Sequence, residues 1–176
     1  GHRILAANVS GSHNTGLGSA NLFQNTTGSQ NIAIGSSVLY QSNADNNTGI
    51  GFLALRYNTS GYSNTAVGHS ASRQNQSGFN NTSVGYRSLY SNNGGDYNVA
   101  LGSKAGDNLT NGSNNIAIGS STTLPDATGS NQLSIGNSIY GLEIGQSDIA
   151  KIGINVASPT ESLEVSGTVS ATAFVG

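Results

Sequence analysis

The chain has 176 residues, a formal net charge of −2 and 8% charged residues, where about 25% is usual for a soluble domain. Such sparse charge provides no basic stripe for nucleic acid or anionic lipid. The absence of Cys excludes a disulfide scaffold, and no apolar run approaches the roughly 20 residues that span a bilayer.

The chain opens with Gly1 and His2, which read as an expression scar, and residues 1–7 read as a lead-in. No signal peptide precedes them, so the chain reads as a piece of a longer protein. From residue 8 onward, abundant Gly, Ser, Asn and Thr would suit a disordered linker. Strict periodicity rejects that reading. The pattern Asn, any residue, small residue, aliphatic residue, Gly occupies 14–18, 31–35, 47–51, 64–68, 81–85, 98–102 and 115–119. An eighth copy at 132–136 has Gln in the Asn position. The glycines step by 17, 16, 17, 17, 17, 17 and 17 residues. Such a period means one coil per repeat, stacked so that equivalent residues form columns.

The aliphatic column is Leu17, Ile34, Ile50, Val67, Val84, Leu101, Ile118 and Ile135. Nothing polar enters it, and it predicts an interior stripe on a short strand. The small column, Gly16, Ala33, Gly49, Ala66, Ser83, Ala100, Ala117 and Ser134, points to the opposite face of that strand. Its size limit predicts a close neighbour on that face, either another part of the coil or another chain. The Gly column predicts a bend at positive φ, and the Asn column predicts an amide ladder along the coil axis.

Four residues past each repeat Gly, the column Leu22, Leu39, Leu55, Ser72, Leu89, Gly106 and Thr123, aliphatic for most of the chain before it decays, predicts a second short strand. A polar turn centred on Gly28, Gly61, Gly78, Gly95, Gly112 and Gly129 follows. No segment carries helical periodicity. The predicted fold is therefore all-β, a parallel β-roll or β-solenoid over residues 8–136. After Gly136 the glycine interval halves, through Gly145 and Gly153. That change predicts a narrow neck over 137–157. Pro159 then breaks the pattern, and 158–176 reads as a C-terminal strand element.

Two resemblances add to this reading. The Asn-x-Ala-Ile-Gly motif at 31–35 and 115–119 resembles the head repeat of trimeric autotransporter adhesins, although the adhesin repeat is shorter. That resemblance covers residues 8–136 and implies a left-handed parallel β-roll wound as a homotrimer. The stretch from Ile152-Gly153-Ile154-Asn155 through Ser158-Pro159-Thr160 and Leu163-Glu164-Val165 to Ala171-Thr172-Ala173-Phe174 is similar to a segment of phage tail fibres and bacterial surface fibres. In those proteins it precedes an intramolecular chaperone of the endosialidase type, whose catalytic motif is absent here. Together the resemblances imply a trimeric extracellular fibre, on a cell surface or a virion.

Motifs of catalysis are missing. His2, His13 and His69 occupy different phases of the repeat and suggest no metal site. Asp96 and Asp107 could approach each other as a glycosidase pair would, but acidic residues in turns more commonly stabilise the turns. No Gly-Lys-Ser/Thr follows a strand, so the glycines make no phosphate loop. No cofactor, metal or enzymatic activity is expected. The Thr column Thr15, Thr48, Thr65 and Thr82 is interrupted by Ile32, Val99 and Ile116 and has no second Thr column beside it, which argues against an ice-binding face.

The candidate ligand-binding residues are Tyr40, Arg56, Tyr57, Tyr62, Arg73, Phe79, Tyr86, Arg87, Tyr90 and Tyr97, all near turns or strand ends. Ring faces could carry a pyranose while amides take its hydroxyls. The plainer reading is that these rings cover coil edges or pack between chains. The expected function is recognition of a cell-surface glycan or similar polymer by a trimeric fibre, without nucleic acid and without membrane insertion. A purely structural fibre shaft and a polysaccharide depolymerase are the alternatives.

Overall fold

The computed structural model describes residues 1–146 and 149–170. Its strands form one sheet in chain order. Each repeat supplies one strand: β1 (Thr15–Ser19), β2 (Ile32–Ser36), β3 (Thr48–Phe52), β4 (Thr65–Val67), β5 (Thr82–Val84), β6 (Val99–Leu101), β7 (Ile116–Ile118) and β8 (Leu133–Ile135). These pair in parallel, rung on rung. The fold is an all-β parallel β-solenoid of about seven turns, consistent with a β-roll repeat. The single 16-residue step does not disturb register, because Ile34 still pairs with Ile50. The missing residue is absorbed in the turn near Asp45.

The strands face the opposite way from the sequence expectation. Ala33, Ala66 and Ala100 are fully buried, whereas Leu17, Val84, Leu101, Ile118 and Ile135 are 36–63% exposed. The small column lines the interior, and the aliphatic column faces out. The close neighbour of the small column is the far wall of its own coil: Leu22, Val38, Leu39, Ala54, Leu55 and Ala71 cluster with Ala33 and Ala66. A coil of this length encloses little space. One Leu per rung nearly fills it, and a second large aliphatic opposite would overpack it.

That Leu does not lie on a second strand, which is a further correction. Leu22, Leu39, Leu55 and Leu89 have φ of 50, 49, 50 and 47°, in the left-handed region that an L-residue enters at a cost of roughly 1–2 kcal/mol. Each lies in a turn and donates its N–H to the next coil, Leu22 to Val38, Leu39 to Ala54, Leu55 to Ala71 and Leu89 to Ala105. Full burial of the side chain contributes about 2 kcal/mol and offsets the backbone strain.

The Gly column behaves as expected. Gly51, Gly68, Gly85 and Gly102 have φ of +128, +136, +133 and +129°, and a Cβ on any of them would strike the carbonyl of the glycine one coil on. The Asn ladder also forms. Asn64 Oδ1 accepts the backbone N–H of Asn81 at 3.0 Å, and Asn81 Oδ1 accepts that of Asn98 at 2.9 Å. The amide nitrogen then reaches the turn of the following coil, as Asn81 Nδ2 does to Gly95 O at 2.8 Å and Asn31 Nδ2 does to Ala44 O, where the turn glycine is missing. These side chains are buried with their partners, so the interior is satisfied through amides as much as through apolar contact. A second ladder, unnoticed in the sequence, runs through Asn58 and Asn75, whose Nδ2 donates to Asn58 Oδ1 at 2.7 Å.

Beyond Gly136 the coil ends. β9 (Ile139–Leu142) turns back antiparallel to β8, β10 (Lys151–Ile154) is antiparallel to β9, and β11 (Leu163–Val165) is parallel to β10. The segment expected to form a narrow neck thus adds the reversed β9 and then β10 to the same sheet and covers its open edge, which would otherwise be free to pair. The strand expected after Pro159 is β11. Ala171-Thr172-Ala173-Phe174 lies outside the described residues.

At the other end, residues 1–14 follow the repeat register. His2 bridges Ser19, Leu5 N–H donates to Asn21 O, and Val9 N–H donates to Thr26 O. The segment read as a lead-in therefore stacks as a coil. No helix among the described residues is long and apolar enough to cross a membrane.

Candidate functional site

Three surface features arise from the columns. The first is the outer face of β1–β8. Its second column, on alternate residues to Leu17 through Ile135, is Thr15, Ile32, Thr48, Thr65, Thr82, Val99, Ile116 and Leu133. Side chains two apart share a strand face, so these two columns form one uncharged strip. At the ~4.8 Å strand spacing the strip is roughly 34 Å tall.

The second feature is a ridge of rings and guanidinium groups at the turn after the buried Leu. Phe23 stacks on Tyr40 with centroids 5.0 Å apart. The Arg56 guanidinium lies 5.4 Å from both the Tyr40 and Tyr57 rings. Arg73 lies 5.3 Å from the Tyr57 ring, and its guanidinium donates to Tyr90 Oη at 2.9 Å and Tyr57 Oη at 3.4 Å. Arg87 sits 4.1 Å above the Tyr90 ring. At the N-terminal end, Arg3 covers Phe23 at 4.6 Å. Six of the sequence candidates, Tyr40, Arg56, Tyr57, Arg73, Arg87 and Tyr90, are thereby brought together. Arg3 and Phe23 extend the ridge and were missed. Phe23 lies one repeat before Tyr40, so the column rule itself could have found it.

The third feature is a pair of aromatic stacks flanking the strands. Tyr62 and Phe79 stack at 4.8 Å with nearly parallel rings, and Tyr97 meets Phe79 edge-on. These three candidates precede the strand. Tyr86, the remaining candidate, follows it and lies 5.4 Å from His69, which in turn lies 5.2 Å from Phe52. Phe52 was not singled out from sequence and His69 was weighed only as a metal ligand, although both sit one position after a repeat Gly.

The geometry changes what the rings can do. Most ring faces in the ridge and in the Tyr62–Phe79 stack are occupied by a neighbouring ring or guanidinium. What remains outward is phenol oxygen, ring edge and guanidinium N–H. Such a surface suits hydrogen bonding and charge more than stacking of a sugar or base.

Asp45 and Asp96 have structural duties. Asp96 accepts the Phe79 N–H at 3.0 Å, and Asp45 accepts the Ser29 N–H at 2.7 Å. Asp96 and Asp107 lie in different columns, before the strand and on the ridge respectively. A cavity of about 660 Å³ lies between the last coil and the C-terminal strands, lined in part by Asp126, Glu143, Lys151 and Glu161 and remote from the ridge. Comparison with known proteins finds no matching family model, no matching curated protein and no matching solved structure.

Proposed function

We propose that this chain is a module of a trimeric extracellular fibre that recognises a cell-surface glycan or similar polymer. The observation that carries the reading is the uncharged outer strip of β1–β8, with Leu17, Val84, Leu101, Ile118 and Ile135 each more than a third exposed. Contiguous apolar strips of this extent mark association surfaces. The support for self-association has moved from the small column, which is satisfied inside the coil, to the aliphatic column. The number three and the extracellular setting come from the resemblance to trimeric adhesin heads and fibre segments. Three copies of a weak site on one particle would raise avidity without new contacts.

A structural shaft is the second reading, favoured by the ring faces being taken up within the ladders. Light scattering and a glycan array together test both. A mass near three times 17.8 kDa with binding to glycans or target cells supports the proposal. A trimer that binds neither leaves the shaft, and a monomer at micromolar concentration removes the fibre reading.

A further inference from the structure

We infer that the ridge formed by Arg56, Arg73 and Arg87 with Tyr57 and Tyr90 is a binding site for an acidic polysaccharide, one carrying carboxylate or sulfate groups along its length. The inference rests on the adhesive reading above and narrows it to one ligand class and one edge of the solenoid.

The argument begins with charge. The chain has six Lys and Arg in total, and all four arginines, Arg3, Arg56, Arg73 and Arg87, lie on this ridge against aromatic rings. None forms an ion pair within 4.0 Å among the described residues. Among the described residues the acids lie elsewhere, except Asp107, one repeat beyond Tyr90 at the end of the column. A chain with an overall charge of −2 therefore concentrates its arginines on one edge, without an ion-pair partner among the described residues.

Ordering comes next. Arg56, Arg73 and Arg87 are half-buried, and the Nε–H of each is shielded from solvent with no acceptor. Stacking on tyrosine and the two Arg73–tyrosine bonds hold these long side chains in place before any ligand arrives. That removes part of the ordering cost of binding. A carboxylate or sulfate would supply the missing counter-charge through charge-assisted hydrogen bonds. Arg56 and Arg73 occupy equivalent positions in successive coils, so their spacing follows the ~4.8 Å coil rise. An extended polymer with repeating anionic groups can engage several such positions at once.

The covered ring faces select among polyanions. Proteins that bind single-stranded nucleic acid use open aromatic faces as stacking platforms, and here those faces are largely occupied. Sugar hydroxyls need donors and acceptors at ring edges, which Tyr57 and Tyr90 offer.

Biolayer interferometry on the purified protein tests this with four probes: polygalacturonate, heparin, dextran and oligothymidylate. Binding is expected to polygalacturonate, heparin or both, with affinity falling as salt rises from about 0.05 to about 0.3 M. Polygalacturonate carries carboxylate alone and heparin carries both groups, so binding to polygalacturonate shows that carboxylate suffices, and binding to heparin alone shows that sulfate is required. The R56Q/R73Q variant should lose roughly tenfold or more in affinity, whereas K151Q, which removes a positive charge at the C-terminal cavity away from the ridge, should bind as wild type. R87Q, checked with the double variant for an unchanged circular dichroism spectrum, provides an independent loss should the double variant unfold. Absence of binding to both acidic polymers, full binding by folded arginine variants, or equally tight binding of oligothymidylate would each overturn the inference. If the protein binds neutral glycans or cells but no acidic polymer, only this inference falls. If it binds none of them, the adhesive reading falls with it.

Discussion

Ser72 and Ser83 meet across the interior of the solenoid, with their hydroxyl oxygens 2.8 Å apart and both side chains buried. Ser72 stands where neighbouring coils place Leu55 and Leu89, and Ser83 stands where they place Ala66 and Ala100. The pair divides the apolar core into two clusters, one reaching Leu55 and Ala71 and the other starting at Leu89. In the double variant S72L/S83A, Leu meets Ala as in the adjacent rungs. Denaturant unfolding should show a gain of about 2 kcal/mol from the added buried side chain. S72L alone should gain less, because it leaves the Ser83 hydroxyl without its best partner. A double-mutant cycle measures that coupling.

The amide ladder makes its own prediction. Asn81 donates to Gly95 O and Asn64 Oδ1 and accepts from the backbone and side chain of Asn98. Asn81→Ala strands the buried N–H of Asn98, whereas Gly95 O keeps its bond from Asn92 Nδ2, so urea unfolding should show a loss of about 2 kcal/mol. Asn93→Ala, at an exposed turn position, should change stability by less than about 0.5 kcal/mol.

Gly68 combines a φ of +136° with a carbonyl one coil away that a Cβ would strike. Gly68→Ala is expected to lower stability by about 3 kcal/mol. Thermal melts followed by circular dichroism would show it. Gly145 has positive φ but open space around it, so Gly145→Ala should be distinctly milder.

Val67 and Val84 separate folding from association. Both lie on the outer strip, and Val84 is 39% exposed. The V67K/V84K variant should keep its strand signal and lose little stability as a single chain. Its mass by light scattering should fall to 17.8 kDa, because charges in an apolar contact surface are left desolvated and unpaired. An unchanged oligomer would place the association surface elsewhere.

Asp126 predicts a small pH effect. Its carboxylate accepts the Thr128 N–H at 2.8 Å and hydroxyl at 2.9 Å. These bonds hold its pKa below the ordinary 3.8, the Thr128 backbone bond contributing most. A depressed pKa means that the stabilisation is present above 3.8 and is lost as pH falls through the lower folded value. Melting curves of wild type and Asp126→Asn should therefore differ slightly at pH 7 and converge in strong acid. The side chain is fully exposed, so the difference will be small.

The period of the chain, the strand in each Asn-to-Gly motif stacked rung on rung, the positive φ of the repeat glycines and the amide ladder were all legible in the amino-acid sequence. They depend on residue types that recur at fixed spacing, and stacking turns spacing into contact directly. Which side of each strand is the inside was decided only in three dimensions. Ala66 and Val67 are neighbours in β4, and alternation says only that they face opposite ways. The interior volume breaks that symmetry: Leu55 and its column-mates fill it from the far wall, so only the small residue fits opposite. Local pattern likewise suggested a strand at Leu55, but closing the coil requires a corner there, and its φ of 50° makes one. The ridge was half visible, since Tyr40, Arg56 and Tyr90 lie near repeat spacing. That the guanidinium groups would cover the ring faces, and so exchange stacking for charge, depends on side-chain packing between coils, which spacing alone does not specify.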